Sequence, residues 1–160
     1  MNIVSLLDSD TVIPQLEASS KNEVLEQLIE TLRTRVDEDD LKRISDAVFE
    51  REAIMSTGVG KGLAIPHGKA QGLQDNYAAF AILKSPVEYE AIDDMPVRMV
   101  FLLVGPESQN STHIKMLSRI SRLMNNAEFR EKLMKCESSE DIISAFESEE
   151  KQYFGVNQKG

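Results

Sequence analysis

The chain has 160 residues, 41% hydrophobic and 28% charged, with 27 acidic against 18 basic side chains and a net charge of −9. These proportions belong to a soluble globular domain that can bury its own core, and the acidic balance, with no tryptophan and no basic stripe, excludes a nucleic-acid-binding surface. No apolar run approaches the ~20 residues that span a bilayer and no basic-then-apolar leader opens the chain, so the reading is no membrane insertion and a cytoplasmic location. A single cysteine, Cys136, excludes an internal disulfide and reads as a packing residue on a helix.

Residues 1–7 are short and apolar, and Asp8-Ser9-Asp10-Thr11-Val12 leads into Pro14, which reads as an extended segment or a turn. Over 20–35 the spacing predicts a helix: Ser20 and Glu23 spell a capping box, and Val24, Leu25, Leu28, Ile29 and Leu32 fall on one face. A second helix is predicted over 39–52, with Leu41, Ile44, Val48 and Phe49 inward and Arg51 aimed at a flexible, hydroxyl-rich glycine loop, 56–62. Three strands are expected next, over 62–65, 77–83 and 97–104. The last two are nearly continuous apolar runs, suited to a sheet covered on both faces. Pro86 and Asp93-Asp94-Met95-Pro96 read as the turns between strands. A polar loop over 105–110 precedes a helix over 111–125 with Ile114, Leu117, Ile120 and Met124 inward. Another helix, capped near Asn126, carries Phe129 and Leu133. A last one over 138–148 pairs Ser138 with Asp141 at its start and sets Ile142, Ile143 and Phe146 on one side. Residues 149–160 are polar and expected to fray. Two helices, a group of strands and more helices, without repeat or linker, predict a single-domain α/β sandwich.

The chemistry concentrates in 51–69, Arg-Glu-Ala-Ile-Met-Ser-Thr-Gly-Val-Gly-Lys-Gly-Leu-Ala-Ile-Pro-His-Gly-Lys. A short apolar run stopped by Pro66 delivers His67 to the edge of a sheet, because proline cannot continue a central ladder, and Gly68 permits a sharp turn just beyond the imidazole. On residue types alone His67 reads either as a surface or capping histidine or as one that handles an anion; turn chemistry accounts for every glycine and proline here. The loop is not a Walker P-loop, since Gly62 rather than Ser or Thr follows Lys61. Nor is it a dinucleotide fingerprint, since Gly58-Val59-Gly60-Lys61-Gly62-Leu63 lacks the final glycine. The chain's two histidines, His67 and His113, match no standard zinc spacing and have no evident third ligand, so no metal is expected.

The run from Glu52 through Ser56-Thr57-Gly58-Val59-Gly60-Lys61-Gly62-Leu63-Ala64-Ile65-Pro66-His67-Gly68 resembles the phosphohistidine signature of the fructose, mannitol and nitrogen-regulatory type of enzyme IIA. These are phosphoryl carriers of the bacterial phosphoenolpyruvate-dependent phosphotransferase system. The resemblance continues through Ala81-Ile82-Leu83-Lys84, Ala91-Ile92-Asp93 to Pro96-Val97, Val100-Phe101-Leu102-Leu103-Val104, and the helix holding His113 and Leu117. It implies an enzyme IIA type-2 domain over 1–148, built as a small mixed β-sheet flanked by helices on both sides. It also implies His67 as the phosphoryl-accepting nucleophile, with His113 nearby to bind or orient the phosphoryl group and Arg51 in the active site.

Phosphoryl carriage asks for a neutral imidazole with one nitrogen fixed by an acceptor and the other free to attack, plus positioned charge and donors, and no organic cofactor. Arg51 is the candidate phosphate clamp, because a guanidinium grips phosphate oxygens bidentately. Ser56, Thr57 and Gly58 are the candidate phosphate-binding loop, through hydroxyl and backbone N–H groups. Lys61 and Lys69 rank last, as added field, and Glu52 either orients Arg51 or pairs along its helix. The family implies the histidine-containing phosphocarrier protein as donor. The acceptor is an enzyme IIB cysteine in sugar-transporting members, or the partners are regulatory targets in nitrogen-type members. The chain carries no B or C domain, which favours the stand-alone nitrogen type. A third reading is a plain anion-sensing or protein-binding module, against which the intact Arg51, Ser56-Thr57-Gly58, His67 and His113 set argues.

Overall fold

Alternation along two central strands decides the architecture. In β5 (Tyr77–Val87), Ala78, Phe80 and Ile82 face one core while Ala79, Ala81 and Leu83 face the other. In β6 (Val97–Pro106), Met99, Phe101 and Leu103 alternate likewise with Val100, Leu102 and Val104. All are buried, so each face needs its own cover of helices. In the computed structural model, which describes residues 2–154, α3 (Asn110–Met124), α4 (Ala127–Met134) and α5 (Ser139–Phe154) cover the first face. The second is covered by α1 (Lys21–Glu30) and α2 (Glu38–Ile54). Phe146 of α5 anchors the first core, meeting Phe80, Phe101 and Phe129 edge-on with ring centroids 5.1 to 5.6 Å apart.

The six-stranded sheet runs β1 (Val12–Leu16), β5, β6, β3 (Leu63–Ala64), β2 (Gly58–Gly60), with β4 (His67–Ala70) also paired to β6. β5 and β6 are antiparallel, with Phe80 opposite Phe101, and β1 is parallel to β5. β3 and β4 follow one another along the same edge of β6, both parallel to it. The chain therefore forms the mixed sheet with helices on both sides that was expected.

Several elements depart from expectation, each for a local reason. Residues 12–16 keep to the extended alternative but are paired as an edge strand, where the N–H missing at Pro14 is tolerated. Pro86 does not turn the chain: it lies inside β5, beyond Leu83, where β1 no longer pairs and the register with β6 shifts. The first helix is α-helical only to Glu30 and finishes as a 3-10 turn, Thr31–Thr34. The glycine-rich segment is a β2–β3 hairpin rather than a free loop. Its turn, Gly60-Lys61-Gly62, has φ of 96°, 60° and 76°, the left-handed region that calls for the flanking glycines. On α3, Ile114 is exposed, and the buried face is His113, Met116, Ile120, Leu123 and Met124. Cys136 is half-buried in the connection after α4, because that helix already ends at Met134.

The tail expected to fray from 149 is helical through Phe154. Glu150 is buried and accepts the backbone N–H groups of Ile3 (2.6 Å) and Val4 (2.9 Å) and Arg119 Nε (2.7 Å), while the Arg119 guanidinium lies 3.9 Å from the Phe154 ring centre. Residues 155–160 of that expected tail lie outside the described residues. No helix among the described residues is long and apolar enough to cross a membrane.

Candidate active site

The direction in which His67 points follows from strand alternation. Leu63 and Ile65 pack with α3, so His67, two residues on, lies on the same side. Gly68 then faces α2. A Cβ there would stand 3.1 Å from the backbone of Ala47 and Val48, so glycine is needed for α2 to lie directly on the strand, not for the sharp turn expected. His67 pairs opposite Leu103 of β6, which ends at Pro106 and leads through a 3-10 turn, Glu107–Gln109, into α3. That short path sets the first turn of α3 against β4. The imidazoles of His67 and His113 have centroids 5.6 Å apart, inclined at 53°.

His67 Nδ1 lies 2.9 Å from the Ile65 carbonyl oxygen. A carbonyl only accepts, so Nδ1 carries the hydrogen and Nε2 keeps the lone pair. Burial lowers the pKa of His67. The positive charges of Arg51 and Lys69 act in the same direction, while the Ile65 hydrogen bond and Glu52 oppose them. His113 is buried with neither ring nitrogen hydrogen-bonded among the described residues, and burial, then His67 and Lys69, push its pKa down to about 4. Both rings are neutral at pH 7.

Arg51 stands in the last turn of α2, with Nη1 donating to the Met55 carbonyl at 2.8 Å. Together with Ser56, Thr57, Gly58 and His67 it lines an open cleft of about 600 Å³, whose other walls include Met55, Val59, Ile92 and Leu117. Arg51, the 56–58 segment and the two histidines, far apart in sequence, are therefore brought to one place.

Residues 5–149 match the family model for "Phosphoenolpyruvate-dependent sugar phosphotransferase system, EIIA 2". The chain belongs to this family. It is 33% identical over 144 residues to a nitrogen regulatory protein of Bradyrhizobium diazoefficiens, covering 90% of this chain and 94% of that one. It is also 33% identical over 151 residues to the fructose-specific EIIABC component of the Bacillus subtilis phosphotransferase system, covering 94% of this chain but only 24% of that longer protein. Among solved structures it is similar to nitrogen regulatory protein IIA-Ntr from Neisseria meningitidis, with a TM-score of 0.81 and 30% identity over 89% of this chain and 97% of that one.

Within this EIIA domain the remaining candidates take distinct places. Ser56 Oγ donates to the Tyr89 carbonyl (2.9 Å) and accepts from the Gly58 N–H (3.1 Å). Thr57 donates its hydroxyl and its N–H to the two oxygens of Glu52, at 2.5 and 2.8 Å. These hydroxyl hydrogens hold the segment itself. Gly58 leaves room for Ala91, whose Cβ would lie 2.7 Å from a Cβ at 58. Lys61 reaches away from the histidines to Asn125 Oδ1 at 2.9 Å. Lys69 bonds Asn110 at the start of α3, and both histidines feel its charge.

Glu52 is buried at the centre of a network that sequence reasoning missed. Besides Thr57, its oxygens meet the Tyr89 hydroxyl (3.2 Å) and Lys21 Nζ (2.8 Å), and Lys21 lies 4.9 Å from the Tyr89 ring centre. A signal for it existed. Leu41, Ile44, Val48 and Glu52 recur at helical spacing, so a carboxylate falls on the buried face of α2 and needs partners. Its partners come from the first turn of α1 and the segment after β5, which only the fold brings together.

Proposed function

We propose that this domain carries a phosphoryl group on His67 Nε2 within the phosphoenolpyruvate-dependent phosphotransferase system. The observation that carries the reading is the hydrogen bond from Nδ1 to the Ile65 carbonyl, which leaves Nε2 as the nucleophile of a neutral ring lining an open cleft. The Nε2 lone pair attacks phosphorus of the phosphohistidine on the histidine-containing phosphocarrier protein. A P–N bond forms to His67 as the P–N bond to the donor breaks, and that electron pair returns to the donor imidazole. Charge on the three equatorial oxygens is met by Arg51, by His113 and by the N-terminal end of α3, whose cap residue Gln109 makes no side-chain bond to it. Positive charge on the phosphorylated ring is eased by the Ile65 carbonyl at Nδ1–H. Ser56, Thr57 and Gly58 form the wall of the phosphate subsite, held in shape through Glu52. The reaction calls for no organic cofactor.

The surface supports exchange between proteins. Met55 and Ile92 of the cleft, with Ile114 beside His113, are exposed apolar groups ringing the nucleophile, suited to transient docking. A cytoplasmic location is part of this reading, since the phosphocarrier donor must reach the domain. We read the role as nitrogen-type regulation through target proteins, since the alignment covers 94% of the Bradyrhizobium regulatory protein. A second reading, transfer to a IIB cysteine for sugar uptake, draws on the equal 33% identity to the fructose-specific component.

The test is incubation with phosphoenolpyruvate, enzyme I and the phosphocarrier protein, run beside His67→Ala. An acid-labile, base-stable label on the wild type alone is expected. Label on neither protein would overturn the carrier reading in favour of a binding module, and equal label on both would move the site away from His67. Adding a fructose-type IIB domain separates the two roles, because discharge onto it marks a transport component.

A further inference from the structure

His113 is 3% exposed, yet among the described residues neither ring nitrogen has a hydrogen-bond partner, an uncommon state for a buried imidazole. A second buried orphan borders the same space. Asn76 Oδ1, from the residue before β5, sits where a Cβ on Gly105 of β6 would stand, and His113 Nδ1 is 3.8 Å from that point. Glycine at 105 opens the slot that both side chains line. The other end of the Asn76 amide is weakly held: Nδ2 is 3.5 Å from Oε1 of exposed Gln109, at the outer limit of a hydrogen bond.

Two arrangements would satisfy these groups. If Asn76 Oδ1 accepts from His113 Nδ1–H, Nε2 keeps a lone pair and repels any phosphoryl oxygen brought to it. If the Asn76 amide makes a half-turn, Nδ2–H points into the slot toward His113 Nδ1, and Oδ1 accepts from a similarly turned Gln109. His113 then carries its hydrogen on Nε2. Only the second arrangement supplies a donor to an anionic site. We infer that Asn76 is a positioning residue: through the slot over Gly105 it donates to His113 Nδ1 and holds His113 in the Nε2–H tautomer that donates to a phosphoryl oxygen on His67. The purpose of this arrangement rests on the phosphoryl-carrier reading; its geometry does not.

Long-range ¹H–¹⁵N correlation of the imidazoles in uniformly ¹⁵N-labelled protein at pH 7 reads the tautomer directly. Wild-type His113 is expected as Nε2–H. Asn76→Asp, which can only accept at the slot, should convert it to Nδ1–H, and should slow phosphoryl acceptance from the phosphocarrier protein at least about tenfold. Asn76→Ala should leave a mixture of tautomers, which keeps the test open if the aspartate variant does not fold. A wild-type ring in the Nδ1–H form, or tautomers unchanged in the variants even with a lowered Tm, would overturn the inference. Because the tautomer is read on unphosphorylated protein, failure of the labelling assay and failure of this inference are separate results.

Discussion

Helix α3 serves two buried polar groups in opposite ways. In its middle, Arg119 joins Glu150, which is 3% exposed and also takes the N–H groups of Ile3 and Val4, tying the first residues of the chain to its last helix. In its first turn, His113 is equally buried at 3%, and its Nε2 has no hydrogen-bond partner among the described residues. Equal burial with opposite satisfaction separates a structural clamp from the candidate site. A saturated carboxylate holds segments together, while an imidazole with Nε2 unpartnered keeps that nitrogen, in the proposed carrier, for a phosphoryl oxygen.

Breaking the saturated member should have the largest effect. Glu150→Ala leaves Arg119 buried without its carboxylate and should cost about 3–5 kcal/mol in urea unfolding. A loss under about 1 kcal/mol would mean that the clamp is idle, and the contrast with His113 would collapse. The starved member should show itself through pH. With a folded pKa of about 4 against an ordinary 6.5, the unfolded chain takes up the His113 proton first. Stability is therefore lost as pH falls from 6.5 toward 4 and is untouched above that window. The loss approaches about 3 kcal/mol once pH 4 is passed. His113→Gln should lack this component, so the difference in unfolding free energy between variant and wild type should shift by most of that amount between pH 7 and pH 4. A constant difference would show that the ring titrates normally. The smallest effect tests whether the Glu52 network resembles the Glu150 clamp. Tyr89→Phe removes one of several donors to Glu52 and should cost about 1 kcal/mol in the same unfolding measurement.

Helices and central strands were legible because their signals are local. Ser20 and Asn126 cap helices as their spelling suggests, and the runs after Tyr77 and Val97 do form the sheet centre. What was not legible depends on contacts between distant residues. The polar stretch after Ser148 reads as a tail until Glu150 meets the backbone of Ile3. Ile114 reads as core until the exit from β6 sets the rotation of α3 and turns His113 inward in its place. At the candidate site, the signature named His67 and neighbours that the fold does bring together. Lys21 and Tyr89 carry no pattern that links them to Glu52, and Asn76 gains meaning only because residue 105 has no side chain.

The packing of Gly68 against α2 makes the length of the signature as binding as its spelling. Alternate residues of β4 belong to different helices, so one residue added or removed between Ile65 and His67 would drive the imidazole into Ala47 and offer bare glycine to the cleft. Two residues would restore parity but slide the strand off Leu103, its partner on β6. Descendants of this chain that keep the glycines of the hairpin can respell the rest of it, but between the hairpin and the histidine they cannot re-space it.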